Sequence, residues 1–115
     1  MMTYSRSMWG INDLCVEPEV AIGDYGLGKG DEPSREEVME CQTWIRENVS
    51  PRKNLNRKKS SYALKHIVEK TTKQGYISNG AFILAAFLEG YMICPTYNDS
   101  PNAYFNMRFK KPARR

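Results

Sequence analysis

The chain is short of the residues from which metal sites and disulfide frameworks are built. Its 115 residues include one histidine, His66, and three cysteines, none of them paired at short spacing. A structural zinc site needs four ligands, usually close together in sequence, so we expect no metal site and no cofactor. The cysteines, Cys15, Cys41 and Cys94, are predicted to be reduced, packed thiols.

Long hydrophobic runs are also missing. The longest, residues 81–88, is well below the roughly 20 residues that cross a bilayer, and the first ten residues lack the apolar stretch of a secretory signal. We therefore expect no membrane association and a cytoplasmic location. Hydrophobic residues still make up 41% of the chain, which is enough for the core of one small domain.

Acidic residues are scarce in the second half of the chain. Residues 1–49 carry four basic and ten acidic side chains, a net charge of −6, whereas residues 50–115 carry thirteen basic and three acidic ones, a net charge of +10. This asymmetry predicts a polyanionic or acidic partner for the second half, or else contact between the two halves within the fold or across a homodimer.

Capping residues predict the first two helices. The first begins at Ser34, which forms a capping box with Glu37, and stops before Pro51. The second begins at Ser60 or Ser61. Residues recurring at spacings of three and four predict buried stripes, formed by Val38, Cys41, Ile45 and Val49 in the first helix and by Leu64, Ile67, Val68 and Thr71 in the second.

The predicted third helix is apolar nearly all round. It begins at Ser78 and ends near Gly90, and its residues 82–88 are expected to be buried between other elements. Too few polar side chains lie on it to read a major groove, although Asn79 could reach a base or a phosphate from the first turn.

A change of period after the third helix predicts a hairpin. Residues 91–97 and 103–109 read as two strands joined by the turn NDSPN. Alternation along the second strand predicts a core face of Phe105, Met107 and Phe109 and a solvent face of Tyr104, Asn106 and Arg108.

Three helices followed by a hairpin resemble the winged-helix family, in which a helix-turn-helix precedes a two-stranded wing. The likeness rests on the stretch FLEGYMICPTYNDSPNAYFNMRF, whose Gly-aromatic step leads into the hairpin. It implies a mostly α fold with a small β-hairpin (α+β) around a winged-helix-like three-helix core. The chain then divides into an acidic, Gly-rich segment (1–33), a winged-helix-like domain (34–109) and a basic tail (110–115).

A second likeness is to small accessory proteins of bacterial phages and plasmids. The stretches SSYALKH, YISNGAFILAA and PNAYFN are similar to sequences of such proteins. The resemblance implies an origin in a bacterial mobile element, and it implies no particular activity.

Two further patterns are weak candidates for chemistry. Residues 23–30, GDYGLGKG, nearly match a phosphate-binding loop, but Gly30 stands where a hydroxyl residue should hold magnesium, so a mobile loop is predicted. Ser61, Tyr62 and His66 could supply a nucleophile and a base, yet no oxyanion donor or pocket is implied. We therefore expect no catalytic residues and a protein that is not an enzyme.

The strongest candidate site is basic, because lysines and arginines cluster before the second helix and again at the end of the chain. Lysine and arginine side chains hold phosphates, and tyrosines such as Tyr97 stack on bases. The outer face of the second helix, with Lys65, Glu69 and Lys73, would add to it. The predicted binding residues are Arg52, Lys53, Arg57, Lys58, Lys59, Lys65, Asn79, Tyr104, Arg108, Lys110 and Lys111.

The predicted function is that of a small, non-catalytic nucleic-acid-binding protein of a bacterial mobile element that contacts phosphates with little sequence selectivity. The alternative is a protein-binding inhibitor of a host defence complex, similar to anti-CRISPR proteins, or an adaptor. In that case the acidic first half would imitate nucleic acid or dock onto a basic surface. A merely solvated basic surface is the third interpretation.

Overall fold

The structure, a computed structural model, describes residues 2–5, 19–72 and 75–110. These residues form three helices and six strands in two antiparallel sheets, ordered β1-β2-β3 and β4-β6-β5. In chain order the elements are β1 Met2–Ser5, β2 Glu19–Gly23, β3 Gly26–Leu27, α1 Arg35–Asn48, β4 Val49–Asn56, α2 Ser61–Thr71, α3 Asn79–Leu88, β5 Ile93–Pro95 and β6 Ala103–Phe109.

This α+β architecture corrects the predicted fold class. The prediction of a mostly α fold is wrong, because two three-stranded sheets pack with the helices. One source of the error is the basic segment 51–59, for which we predicted no strand. Residues 51–56 instead belong to β4, which pairs with β6 and extends the predicted two-stranded hairpin to three strands.

All three helices begin where the sequence predicts. The side-chain oxygens of Ser34, Ser60 and Ser78 each accept a hydrogen bond from the backbone N–H three residues on. The first cap is not a reciprocal box, since a Glu37 carboxylate oxygen instead accepts from the backbone N–H of Ser78 at 2.8 Å. That bond joins the start of α1 to the start of α3.

Helix α3 lies at the centre of the core. It packs against α1, α2 and strands of both sheets, and the Phe82 ring makes edge contacts with Trp44 of α1 and Phe105 of β6, at centroid distances of 6.1 and 5.5 Å. The predicted burial of residues 82–88 is confirmed except at Leu88, which is 54% exposed. No helix in the described ranges has the length and hydrophobicity of a bilayer span.

Most of the predicted stripes are buried as expected. The α1 stripe is confirmed at Val38, Cys41, Ile45 and Val49, the α2 stripe at Leu64 and Val68, and the β6 core face at Phe105 and Met107. Three positions are wrong. Thr71 is exposed, whereas Lys65 and Asn106, both predicted to face solvent, are buried. Lys65 is buried with its charge paired to Glu69 one turn along α2, and Asn106 is buried with its amide bonded to the backbone of Arg52 and Met92.

The Gly-rich segment is a packed turn and not the predicted mobile loop. A Cβ atom at Gly23 would collide with the backbone of Lys29, and one at Gly80 would collide with the carbonyl of Gly23. The Gly80 N–H also donates to the Asp24 carbonyl at 3.0 Å. The β2–β3 turn therefore closes over the start of α3, and Ile22 of β2 is fully buried in the same core.

The two described cysteines differ in state. Cys41 is a free thiol in the core. Its burial, helped by the nearby carboxylates of Glu37 and Glu40, raises its pKa far above the ordinary thiol value, so the thiol stays protonated. Cys94 is disulfide-bonded, and the prediction of a reduced thiol is wrong there.

Two leucines of α3 test whether burial of this helix holds the fold together. Leu84 is 6% exposed and Leu88 is 54% exposed, so Leu84→Ala should lower the free energy of unfolding by about 2–5 kcal/mol. The matched control, Leu88→Ala, should change it by about 0.5 kcal/mol. Urea denaturation followed by circular dichroism measures both. Equal losses would contradict the central position of α3.

Candidate nucleic-acid interface

The two basic segments lie side by side because β4 pairs with β6. Ser50 is opposite Arg108, and beyond the end of β6 the Lys110 N–H donates to the Asn48 carbonyl at 2.9 Å. The winged-helix resemblance would place these segments on separate elements. The pairing instead gathers a set that we name the β4–β6 basic surface, formed by Arg52, Lys53, Arg57, Lys58, Lys59, Arg108 and Lys110.

A large bulge lifts part of β4 away from its partner. The register has Pro51 opposite Met107 and Asn56 opposite Phe105, so residues 52–55 face the single residue Asn106. The Asn106 amide holds the bulge in place. Its Nδ2 donates to the Arg52 carbonyl at 2.9 Å, and its Oδ1 accepts from the Met92 N–H at 2.7 Å. This tertiary role explains why Asn106 is buried despite the alternation of β6.

The β4–β6 basic surface keeps its positive charge unneutralised. Six of its seven side chains are exposed, and Arg52 is half-buried. Within the part of the chain that the structure describes, none of them forms an ion pair. Arg57 has an aromatic neighbour, since its guanidinium carbon lies 5.7 Å from the centroid of the Tyr104 ring. The surface is therefore able to accept anionic groups.

The charge asymmetry between the two halves of the chain is not cancelled by ion pairing inside the described fold. One ion pair joins the halves there, between Arg46 and Glu89 at 2.8 Å. Its arginine belongs to the acidic first half and its glutamate to the basic second half, so it does not reduce the charge difference between them. The other described pairs lie within α2. Described ion pairs thus give no support to the interpretation that the two halves neutralise each other within the fold.

Lys65 is a buried, paired charge. It is 5% exposed, and its Nζ lies 3.2 Å from Glu69 Oε2. The same carboxylate accepts from the Ile77 N–H at 2.9 Å and meets His66 Nδ1 at 2.9 Å. Burial alone would raise the Glu69 pKa, but the hydrogen bonds from Ile77, His66 and Lys65 outweigh it and lower the pKa overall. Lys65 is thus committed to Glu69 and does not lie on the outer face of α2.

Asn79 is also used inside the protein. It is 7% exposed, and its Nδ2 donates to Asn102 Oδ1 at 2.9 Å and to the Tyr25 carbonyl at 3.0 Å. These bonds fix the start of α3 to two loops, so the first turn of this helix faces protein. Among the other predicted site residues, Tyr104 is half-buried beside Arg57, while Lys111 lies outside the described residues.

Three tyrosines absent from the predicted binding set line one cleft. Tyr25 lies in the predicted mobile loop, Tyr62 belongs to the weak catalytic candidate, and Tyr76 has no predicted role. One sequence signal was available, since Tyr62 lies off the buried stripe of α2. The convergence of the three rings has no sequence signal, because it depends on how α2 and α3 pack.

Comparison with known proteins yields no matching family model, no matching curated protein and no matching solved structure. The resemblances to winged-helix domains and to phage and plasmid proteins therefore stay predictions, and the functional argument depends on the geometry of this chain.

Loss of the Asn106 amide should destabilise the β4 bulge. Asn106→Ala leaves the Met92 N–H and the Arg52 carbonyl without their partner, so we expect the free energy of unfolding to fall by about 1–3 kcal/mol. Asn54→Ala is the matched control within the same bulge, because Asn54 is exposed, and it should cost about 0.5 kcal/mol or less. Urea denaturation distinguishes them, and similar midpoints would contradict the assigned role of Asn106.

The Glu69 cluster should make stability depend on pH below the usual carboxyl range. The folded-state pKa of Glu69 is lowered from 4.5, so its stabilisation is present above that value and is lost as pH falls through the folded-state pKa. Glu69→Gln should cost about 1–3 kcal/mol at pH 7, since it removes the charged partner of Lys65. Denaturation of both proteins at pH 7 and pH 3 tests this. If the difference in free energy of unfolding between the wild type and the variant is as large at pH 3 as at pH 7, the assigned role of the Glu69 carboxylate is contradicted.

Proposed function

We propose that this protein binds nucleic acid without catalysing a reaction, chiefly by contacting phosphates with the β4–β6 basic surface. The observation that carries the proposal is the set of seven cationic side chains on β4, the following turn and the end of β6, none with an ion-pair partner among the described residues. Lysine and arginine side chains that neutralise phosphates release condensed counterions, and this release drives sequence-independent binding.

The location of the charges favours binding with little base selectivity. Base-specific contact in a major groove usually depends on a helix with polar side chains, and α3 is buried along most of its length. The cations are carried instead by a bulged strand, the following turn and the end of β6. Side chains in such positions position the protein on a phosphate backbone, but carry no base information directly.

The proposal includes a cytoplasmic location, because nucleic acid is present in the cytoplasm. The disulfide at Cys94 is the observation that weighs against it, because disulfides are more typical of oxidising compartments.

Fluorescence anisotropy of labelled DNA, measured over a range of salt concentrations, tests the proposal. We expect the logarithm of the binding constant to fall linearly with the logarithm of salt concentration. The double variant Arg57→Ala/Lys58→Ala should weaken binding to every sequence alike. It should also reduce the slope by about 0.9 per lost phosphate contact on a duplex, or about 0.7 on a single strand.

A charge-matched control separates a local effect from one of net charge. Arg35→Ala/Lys70→Ala removes two exposed cations of α1 and α2, outside the β4–β6 basic surface, and should leave the slope close to that of the wild type. Absence of DNA binding by the wild type at low salt, or equal effects of the two double variants, would overturn the proposal.

A further inference from the structure

The three tyrosines outside the predicted binding set converge on one cleft of about 600 Å³. Tyr25 is 71% exposed, Tyr62 50% and Tyr76 65%. They come from three separate parts of the chain, namely the β2–β3 turn, the first turn of α2 and the segment before α3. Aromatic rings exposed to this degree contribute little to the core, and their grouping at a cleft is typical of a binding site.

The buried Lys65 holds two of these rings in place. Its ammonium lies 5.2 Å from the centroid of the Tyr62 ring and 4.8 Å from that of Tyr76. Glu69 neutralises this ammonium and also binds the Ile77 N–H, which anchors the residue next to Tyr76. The two rings are therefore positioned before any ligand arrives, which lowers the entropy lost on binding.

Amide groups form another part of the cleft lining. Asn79 and Asn102 both line it and are bonded to each other, Nδ2 to Oδ1, at 2.9 Å. The Asn102 Nδ2 has no hydrogen-bond partner among the described residues and so remains a free donor. Of the three charged side chains of the lining, Lys65 is neutralised by Glu69 beneath the cleft, and Lys29 and Asp24 carry opposite charges. Aromatic faces, an amide donor and no excess charge fit a flat, uncharged ring with hydrogen-bonding edges.

The cleft adjoins the β4–β6 basic surface. The Ser61 side-chain oxygen accepts from the Ala103 N–H at 3.0 Å, which brings the start of α2 against the start of β6. In the sequence, Tyr62 of the cleft comes soon after the basic turn 57–59. Asn102 of the cleft lies two residues before Tyr104, whose ring Arg57 contacts. A nucleic-acid strand whose phosphates contact the basic surface therefore has a cleft for one of its bases close by.

We infer that the cleft lined by Tyr25, Tyr62 and Tyr76 takes an unpaired nucleobase of a single-stranded nucleic acid whose phosphates lie on the β4–β6 basic surface. The inference rests on the proposed function and adds a preference to it. Bases in a duplex are stacked on their neighbours and cannot offer a free face to a tyrosine, whereas bases in a single strand can. The protein therefore favours single strands over duplexes.

Anisotropy with a labelled single strand of about 12 nucleotides, and with the duplex formed from it, tests this inference. Tyr25→Ala and Tyr76→Ala should each weaken single-strand binding roughly 5- to 150-fold, since stacking of one base is worth about 1–3 kcal/mol. Duplex binding should change little. Tyr25→Phe, which keeps the ring, should restore most of the single-strand affinity.

A control comes from α1. Met39 is 58% exposed and lies outside the cleft, so Met39→Ala should leave both affinities unchanged. Urea denaturation of each variant establishes that it is folded.

The outcomes separate the two proposals. If the wild type binds DNA in a salt-dependent manner but the Tyr25 and Tyr76 variants keep their single-strand affinity, the base site is overturned and the phosphate-binding surface stands. The cleft would then be assigned to contact with a protein. If the wild type binds neither the single strand nor the duplex at low salt, both proposals fall.

Discussion

The burial of α3 is the constraint on which the rest of the structure depends. A helix that is apolar nearly all round has no face to offer water, so protein must cover it on every side. Helix α1, both sheets and α2 supply that cover, and the Phe82 ring joins α1 to β6. Two backbone N–H groups at the start of α3 are satisfied within the fold as well, that of Ser78 by Glu37 and that of Gly80 by the Asp24 carbonyl of the β2–β3 turn. A helix enclosed in this way is unavailable for groove reading.

Because α3 is enclosed, the residues on the protein surface come mainly from the elements that cover it. The sheet that covers it has β6 at its centre and β4 at one edge, and this edge carries Arg52 and Lys53 and leads into the basic turn 57–59. An edge strand exposes unpaired backbone groups that invite association with other chains, and lysines and bulges are common protections against this. The β4 bulge, fixed by Asn106, serves that purpose while presenting cations to solvent. Protection of an edge and attraction of an anion thus draw on the same residues.

Arg57 in the turn before α2 and Lys65 in α2 have opposite environments, although only eight positions separate them. Arg57 is exposed and rests on Tyr104, whereas Lys65 is buried and paired with Glu69 between two tyrosines. An unpaired charge inside a protein is costly, which explains why Glu69 gathers Lys65, His66 and the Ile77 N–H around one carboxylate. The first cation is able to meet a phosphate, and the second orders the aromatic cleft beside it.

The sequence by itself determined the three helices, their serine caps and the β5–β6 hairpin, because capping and periodicity are local and involve residues a few positions apart. It also located the basic residues. Tertiary structure alone decided that residues 51–56 form a strand, since a polar segment without alternation becomes a strand only when β6 lies beside it. The burial of Asn106 and the grouping of Tyr25, Tyr62 and Tyr76 likewise depend on partners far away in the chain. Such pairings leave no pattern in one stretch of sequence, because they arise from packing around α3.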